Sequence, residues 1–198
     1  MKKILLLLLM FAFVIISFAQ NIGIGIISPS EKLEVAGNVK AGNFIYSTPK
    51  TFFYTLSGFN FRAEKSTDTV LVSVGAGEIT MQTNLLGKRI VAPVQLPDGA
   101  TLLNLKAYIN DFSSSTNLVV LLYRKTITTN FFADNYGWVT SSGSAGLALY
   151  QTPLFTNVVN NSLYTYYLSV GSEDQNIPFP GNIYLRAVII EYTNTTTL

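Results

Sequence analysis

A period of two in the apolar residues dominates the chain from about residue 51 onward. Between residues 103 and 109, apolar side chains occupy every odd position and polar ones the even positions. This alternation is typical of a strand with one buried face, because successive side chains point to opposite sides of a sheet. Two further stretches, 118–123 and 183–192, are largely apolar on both faces and are predicted to be central strands.

Turn-forming residues separate these stretches. The clearest turn is Pro97-Asp98-Gly99, in which Pro presets φ, Asp bonds its own backbone and Gly tolerates a positive φ. Other strands are predicted at 51–61, 70–74, 78–83, 89–94, 147–155 and 164–170. About nine strands with no helical stretch between them predict an all-β fold, with a β-sandwich or jelly-roll-like head over residues 51–198.

The absence of two residue types narrows the possible chemistry. The 198 residues include neither His nor Cys, which excludes disulfides, Cys or His metal centres, and Ser-His-Asp or cysteine nucleophile chemistry. Charged residues make up only 12% of the chain, about half the share in an average soluble domain. This composition favours a sheet-rich extracellular protein over a cytosolic enzyme, and no cofactor is predicted.

Residues 1–19 have the layout of a secretory signal peptide. Lys2 and Lys3 precede an apolar run over residues 4–16, and small residues lead to a cleavage position between Ala19 and Gln20. The run is shorter than the roughly 20 residues that span a bilayer, and no later segment is long and apolar enough. We therefore predict a secreted or cell-surface protein without a transmembrane segment in its mature chain.

Cleavage would also remove the apparent basic character of the chain. The formal net charge of +2 equals the charge of Lys2 and Lys3, so the mature chain would be neutral. Bulk attraction to nucleic acid then loses its basis, and no nucleic-acid partner is predicted. Stability must come from burial, strand pairing or association between subunits.

Residues 20–50 contain short apolar alternations interrupted by glycines, which predict a short β-rich segment ahead of the head. About thirty residues of this kind cannot bury a core alone, so each short strand needs a neighbour from the next domain or from other copies of the chain. The residues predicted to mediate oligomerisation are Ile22, Ile24, Ile26, Leu33, Val35 and Val39.

Residues 23–39, GIGIISPSEKLEVAGNV, resemble the fibre-shaft segment GIGT-x-x-P-x-x-KL-x-V-x-G-x-V of phage-type tail fibres and of secreted fibre or adhesin-like bacterial proteins, often from Bacteroidota. Ile26 stands where the shaft usually has Thr, and a single copy is present. The resemblance implies an intertwined homotrimeric shaft that carries a distal head. Residues 94–111, which contain LPDGA, are similar to the head domain of secreted bacterial β-sandwich proteins.

The best candidate ligand site is the aromatic segment 130–138, which is predicted to be a loop and contains the single Trp of the chain. Flat rings beside Asn and Asp suit a sugar, because rings stack on the pyranose face while amides bond the hydroxyls. The candidate residues are Phe131, Phe132, Asp134, Asn135, Tyr136 and Trp138. Two other interpretations remain open: the rings cap the core, with Trp138 starting a strand, or they form a subunit interface.

The carboxylates form no catalytic pattern. Asp98, Asp111 and Asp134 fall in predicted turns as solvent-exposed residues, and Glu173 and Asp174 are adjacent on a predicted loop. Calcium could use Asp111, Glu173 or Asp174, yet no calcium-loop spacing is present and no metal is predicted. We predict a non-enzymatic structural or adhesive protein that assembles with itself, as a homotrimer. The alternatives are a carbohydrate-binding module that recognises a surface glycan and a subunit of an extracellular filament or sheath.

Overall fold

The computed structural model describes residues 21–42, 45–73, 77–81, 86–128, 133–143, 146–154 and 158–196. The chain divides into two compact units, Met1–Phe44 and Ile45–Leu198. The predicted signal peptide lies outside the described residues, so it stays a prediction. Across the described ranges, no helix is long and apolar enough to cross a membrane.

The first unit contains a small parallel sheet. Strand β1 (Ile22–Ile24) pairs with β2 (Leu33–Val35), and Gly25 turns the chain away from β1 with a φ of 77°. Ala36 donates its backbone N–H to the carbonyl of Ile24 at 2.9 Å. The sheet is short because glycines and a proline interrupt the alternation on both sides of each strand.

The second unit is built from antiparallel strands. They are β3 (Ile45–Ser57), β4 (Arg62–Ala63), β5 (Val70–Ser73), β6 (Glu78–Met81), β7 (Arg89–Val94), β8 (Thr101–Asp111), β9 (Leu118–Thr126), β10 (Asp134–Thr140), β11 (Gly146–Pro153), β12 (Tyr164–Ser172) and β13 (Ile183–Thr196). Only a single turn of 3-10 helix, Gly58–Asn60, interrupts them among the described residues.

These strands form two sheets. A five-stranded sheet has the order β10-β9-β12-β7-β4, and a six-stranded sheet has the order β11-β8-β13-β6-β5, with β3 also paired to β13. The predicted all-β sandwich is confirmed. Two strands, β4 and β10, were not predicted, since β4 has only two residues and β10 contains a bulge that interrupts its alternation.

The core lies between the two sheets and follows the alternation read from the sequence. On β8, Leu105 and Ile109 are fully buried, whereas Tyr108 between their positions is 36% exposed. The opposite sheet contributes the inward side chains of β9 and β12 in the same way. Fully buried large side chains are Ile79, Met81, Ile90, Leu102, Leu105, Ile109, Leu118, Leu122, Leu168, Ile183, Leu185 and Ile190.

Asp111 is an exception to the expected pattern of solvent-exposed turn acids. It is fully buried, because it ends β8 on the same inward side as Ile109. Its Oδ1 accepts a hydrogen bond from the backbone N–H of Ser113 at 2.8 Å. The expectation of solvent exposure was wrong for this residue, since strand periodicity extended into the predicted turn. No group of three or more metal-ligating side chains occurs within the described part of the chain.

Candidate functional site

The outer face of the five-stranded sheet carries the aromatic residues that are best placed to meet a ligand. Across β10, β9 and β12, Trp138 lies opposite Leu121, Asn135 lies opposite Tyr123, and Tyr123 lies opposite Tyr167. Directly paired residues share one face of a sheet. This face is the one turned away from the core, because the alternate residues of β9 and β12 are buried between the sheets.

Three rings on this face form what we call the aromatic platform: Tyr123, Trp138 and Tyr167. The two tyrosine rings stack, with centroids 5.3 Å apart and an interplanar angle of 22°. Trp138 is 55% exposed and lies diagonally across from Tyr123, a relation that places side chains about 7–8 Å apart. The platform therefore offers an exposed indole beside a stacked pair of phenol rings.

A β-bulge orients Trp138 onto this face. The register between β10 and β9 shifts between Asn135 and Gly137, and the Asn135 side chain accepts the backbone N–H of Gly137 at 3.0 Å. A Cβ on Gly137 would collide with the side chain of Leu154. Tyr136 points to the core, where it is buried. Without the extra residue Trp138 would point to the same side as Tyr136, and the bulge directs Trp138 to the outer face instead.

Arg124 on β9 anchors the start of β10 from the inner side. Its guanidinium lies over two rings, 4.2 Å from the centroid of Tyr164 and 4.7 Å from that of Tyr136. It also donates to Oδ2 of Asp134 from Nε at 3.0 Å and from Nη2 at 2.9 Å, and Nη1 donates to the Tyr136 hydroxyl oxygen. Burial raises the pKa of Tyr136, although Arg124 opposes the shift, so this hydroxyl stays neutral near pH 7.

We expect Arg124→Met to destabilise the protein by about 2 kcal/mol, since it removes two cation–π contacts and a hydrogen-bonded ion pair. The change keeps a long apolar stem, so the loss reports on the charge. Urea denaturation followed by the fluorescence of Trp138, the single Trp, would measure it. Lys125→Met is the matched control, because Lys125 follows on the same strand with its side chain exposed. Equal stability of the two variants would contradict an anchoring role for Arg124.

A concave pocket adjoins the platform where β7 ends and β12 begins. Its volume is about 500 Å³, within the range of ligand-binding clefts. The pocket is continuous with the outer face, because Pro93 lies opposite Tyr167 and Thr165 lies opposite Lys125. Its polar lining groups are amides and hydroxyls. The whole lining consists of Pro93, Val94, Gln95, Leu96, Asn161, Tyr164, Thr165 and Tyr166.

The predicted site residues are distributed over both sides of the sheet. Trp138 and Asn135 lie on the outer face, whereas Tyr136 is buried beneath Arg124, and Asp134 is held by Arg124. Asp134 to Thr140 forms a strand where a loop was expected. Phe131 and Phe132 lie outside the described residues, and the assignment of the site stays a prediction.

Sequence reasoning missed Tyr123, Tyr167 and the pocket. The outward direction of Tyr167 could have been deduced from the alternation over residues 164–170, whereas residues 118–123 are apolar on both faces and give no direction for Tyr123. Their contact with each other could not be deduced, because it depends on the register between β9 and β12.

Comparison with known proteins gives structural matches only. No family model matches the chain, and no curated protein matches it. A family 6 carbohydrate-binding module matches at 14% identity and TM-score 0.45, over 73% of this chain and 95% of that one. The xylan-binding module CBM15 matches at 10% identity and TM-score 0.47, over 75% of this chain and 100% of that one. A CBM22-1–GH10 xylanase of Clostridium thermocellum, complexed with xylohexaose, matches at 10% identity and TM-score 0.49, over 72% of this chain and 28% of that one.

With TM-scores below 0.5, these similarities carry no argument about function. The resemblance of residues 23–39 to a tail-fibre shaft has no counterpart among these matches and stays a prediction.

Proposed function

We propose that this chain is a secreted, non-enzymatic protein that binds carbohydrate on the outer face of its five-stranded sheet. The observation that carries the proposal is the aromatic platform, in which the exposed Trp138 lies beside the stacked pair Tyr123 and Tyr167. An indole of this size left 55% exposed on a flat sheet face costs free energy in water, and a partner that covers it recovers that energy.

The groups around the platform match the surface of a sugar. A pyranose presents C–H groups on its faces and hydroxyls around its rim, so it can stack on Trp138 while its rim bonds to neighbouring polar groups. Burial raises the pKa of Tyr167, with smaller contributions from Tyr123 and Glu64, so the Tyr167 hydroxyl remains a donor over the physiological range. The side chains of Thr165 and Gln95 continue the polar rim into the adjoining pocket.

The geometry favours binding without hydrolysis. Glycosidases place two carboxyl groups about 5–10 Å apart around the scissile bond. Among the described strands of this sheet, Asp134 is the acidic residue, and it is engaged by Arg124. Glu64 lies just beyond β4 and would act alone. A catalytic carboxylate pair therefore has no support at the platform.

Binding of the full-length mature chain to an array of polysaccharides and oligosaccharides tests the proposal, with affinities then measured by calorimetry. We expect selective binding of extended oligosaccharides, with affinity rising over the first few sugar units because the platform and pocket form one long surface. A chain that binds no glycan on the array would contradict the proposal.

A second candidate function is self-assembly through the first unit, as the sequence predicted for a homotrimer or a filament subunit. The favouring observation is exposure: Ile22 is 61% exposed, Ile24 57% and Leu33 60%. Val39 and Ile27 are also exposed, whereas Val35 and Ile26 are half-buried. Several exposed branched residues within such a short segment favour coverage by other copies of the chain.

We expect the mature protein to be a trimer in multi-angle light scattering at micromolar concentration. The double variant Ile22→Asn and Ile24→Asn should be a monomer, because the change removes apolar surface that would be buried between copies. Ile127→Asn is the matched control, since Ile127 is 55% exposed but belongs to the second unit. A monomeric wild-type protein would overturn the assembly proposal and leave the glycan proposal intact.

A further inference from the structure

The two outer faces of the sandwich differ in how their charges are compensated. On β6, β8 and β13 of the six-stranded sheet, the charged side chains Glu78, Lys106, Arg186 and Glu191 pair with each other. Lys106 Nζ lies 2.6 Å from Oε2 of Glu191, and Arg186 Nη2 lies 2.9 Å from Oε1 of Glu78. The hydrogen bond from Lys106 lowers the pKa of Glu191, so this pair is fully ionised near neutral pH. The positive charges of Lys106 and Arg186 are therefore neutralised within the protein.

The five-stranded sheet carries basic residues without such partners. Arg62 lies opposite Val91, Arg89 opposite Gly171, and Lys125 opposite Thr165, and all three share the face of the aromatic platform. None of the three forms an ion pair within the described ranges. This local excess of positive charge stands out in a mature chain that would be neutral overall.

Among these residues, Arg89 gives the most detailed evidence for an anionic ligand. Its side chain lies across Gly171, where an added Cβ would meet Cγ of Arg89 at 3.1 Å and Nη1 at 3.5 Å. Nη1 is buried and has no hydrogen-bond partner among the described residues. The Arg89 side chain as a whole is half-buried, so part of it remains accessible to an anion on the outer face. Besides burial, Glu64 raises the pKa of the Tyr167 hydroxyl and Arg89 lowers it, so one acidic group accompanies the basic residues near the platform.

Trp138 and Arg62 lie on one row of paired residues across the sheet, which runs through Leu121, Ser169 and Val91. The tyrosines lie two residues to one side of that row and Arg89 lies two residues to the other. The order of strands from edge to edge puts Trp138 on β10, the tyrosines on β9 and β12, Arg89 on β7 and Arg62 on β4. With strands about 4.8 Å apart, Trp138 and Arg62 are roughly 19 Å apart along that row. An extended chain of several sugar rings can therefore stack at one end and meet guanidinium groups at the other.

We propose that the ligand of this face is an acidic polysaccharide whose carboxylates, those of uronic acid residues, are bound by Arg89, Arg62 and Lys125. This inference rests on the proposed carbohydrate-binding function and adds the charge class of the ligand. Guanidinium groups pair with carboxylates in a bidentate geometry, which gives orientation as well as affinity. A single-stranded nucleic acid also combines stacking with negative charge, but the neutral mature chain favours a ligand whose anionic groups are sparse.

The test compares uronate polymers with their carboxyl-reduced forms, which keep the chain and lose the charge. The probes are oligosaccharides of polygalacturonate, alginate and hyaluronan, each paired with its reduced form, titrated into the full-length mature protein. We expect at least one acidic member to bind about tenfold or more tightly than its reduced partner. Raising NaCl from about 0.05 M to about 0.5 M should weaken that binding, because surface charge pairs are screened.

Substitutions of the basic residues test their role in binding, and a second variant guards against a loss of folding. The double variant Arg62→Gln and Lys125→Gln changes exposed side chains, and we expect it to lose about tenfold in affinity for the acidic oligosaccharide while binding the reduced form unchanged. Arg89→Gln should lose at least as much, and the double variant keeps the test decisive if Arg89→Gln does not fold. Lys50→Gln is the control, because Lys50 lies on β3 of the other sheet.

The outcomes distinguish this inference from the function on which it rests. Equal binding of acidic and reduced oligosaccharides, lost on Trp138→Ala, would overturn the acidic-ligand proposal and leave carbohydrate binding standing. Tighter binding of oligo-dT than of every glycan would overturn it in favour of a nucleic acid. Binding of no polymer at all would overturn both proposals.

Discussion

Replacing Trp138 with alanine is expected to reduce glycan affinity at least about 30-fold, equivalent to about 2 kcal/mol, with the fold intact. The indole is the largest ring of the platform and is 55% exposed. Its truncation removes the stacking surface, while the strand that holds it keeps its hydrogen bonds to β9. Calorimetric titration with the best glycan from the array, beside circular dichroism and a melting curve, would measure both effects.

Two control variants test whether the loss of affinity is specific to the ring of Trp138. Trp138→Phe should retain part of the affinity, because a smaller ring still stacks. Phe53→Ala removes an aromatic side chain that is 61% exposed on β3, in the other sheet, and should leave affinity unchanged. If Trp138→Ala binds as well as the wild-type protein, the platform is not the glycan site.

The opposite side of the same sheet is expected to govern stability. Leu168→Ala should lower the free energy of unfolding by about 2–5 kcal/mol, since the side chain is fully buried and its removal leaves a cavity between the sheets. Leu168 lies on β12, between Ala92 of β7 and Leu122 of β9, so few atoms can move in to fill the space. Urea denaturation followed by circular dichroism would measure the change.

Leu149→Ala is the matched control for this substitution. Leu149 is 44% exposed on β11 at the edge of the six-stranded sheet, so we expect its loss to change stability by less than about 1 kcal/mol. Similar effects of the two substitutions would contradict the assignment of the core to the space between the sheets.

Particular residues show how far the sequence predicted the fold. The alternation over residues 103–109 placed Leu105 and Ile109 inside and Lys106 outside, as the structure has them. The same rule continued through Asp111 and buried it, although its residue type suggested a solvent-exposed turn. Asp111 points inward because the strand extends beyond its apolar residues. The pleat of a strand sets the direction of each side chain, whether the residue is polar or apolar.

The candidate site was predictable only in part. The composition of residues 130–138 pointed to Trp138 and Asn135, which lie on the outer face, but it grouped them with Tyr136, which is buried. The bulge at Gly137 separates these neighbours onto opposite sides of the sheet, and no periodic pattern marks a bulge. The aromatic and polar residues of this segment are therefore divided between the outer face and the core, and they do not form a single binding surface.

The sequence by itself determined the all-β class and the inward and outward sides of most strands, because side-chain direction along a strand is set by the local pleat. Only the tertiary structure decided which strands are neighbours. That order stacks Tyr123 on Tyr167 and places Trp138 beside them. It also leaves Arg62 and Arg89 without an ion pair among the described residues. Such contacts join residues far apart in the chain through hydrogen-bond register, which local sequence does not encode.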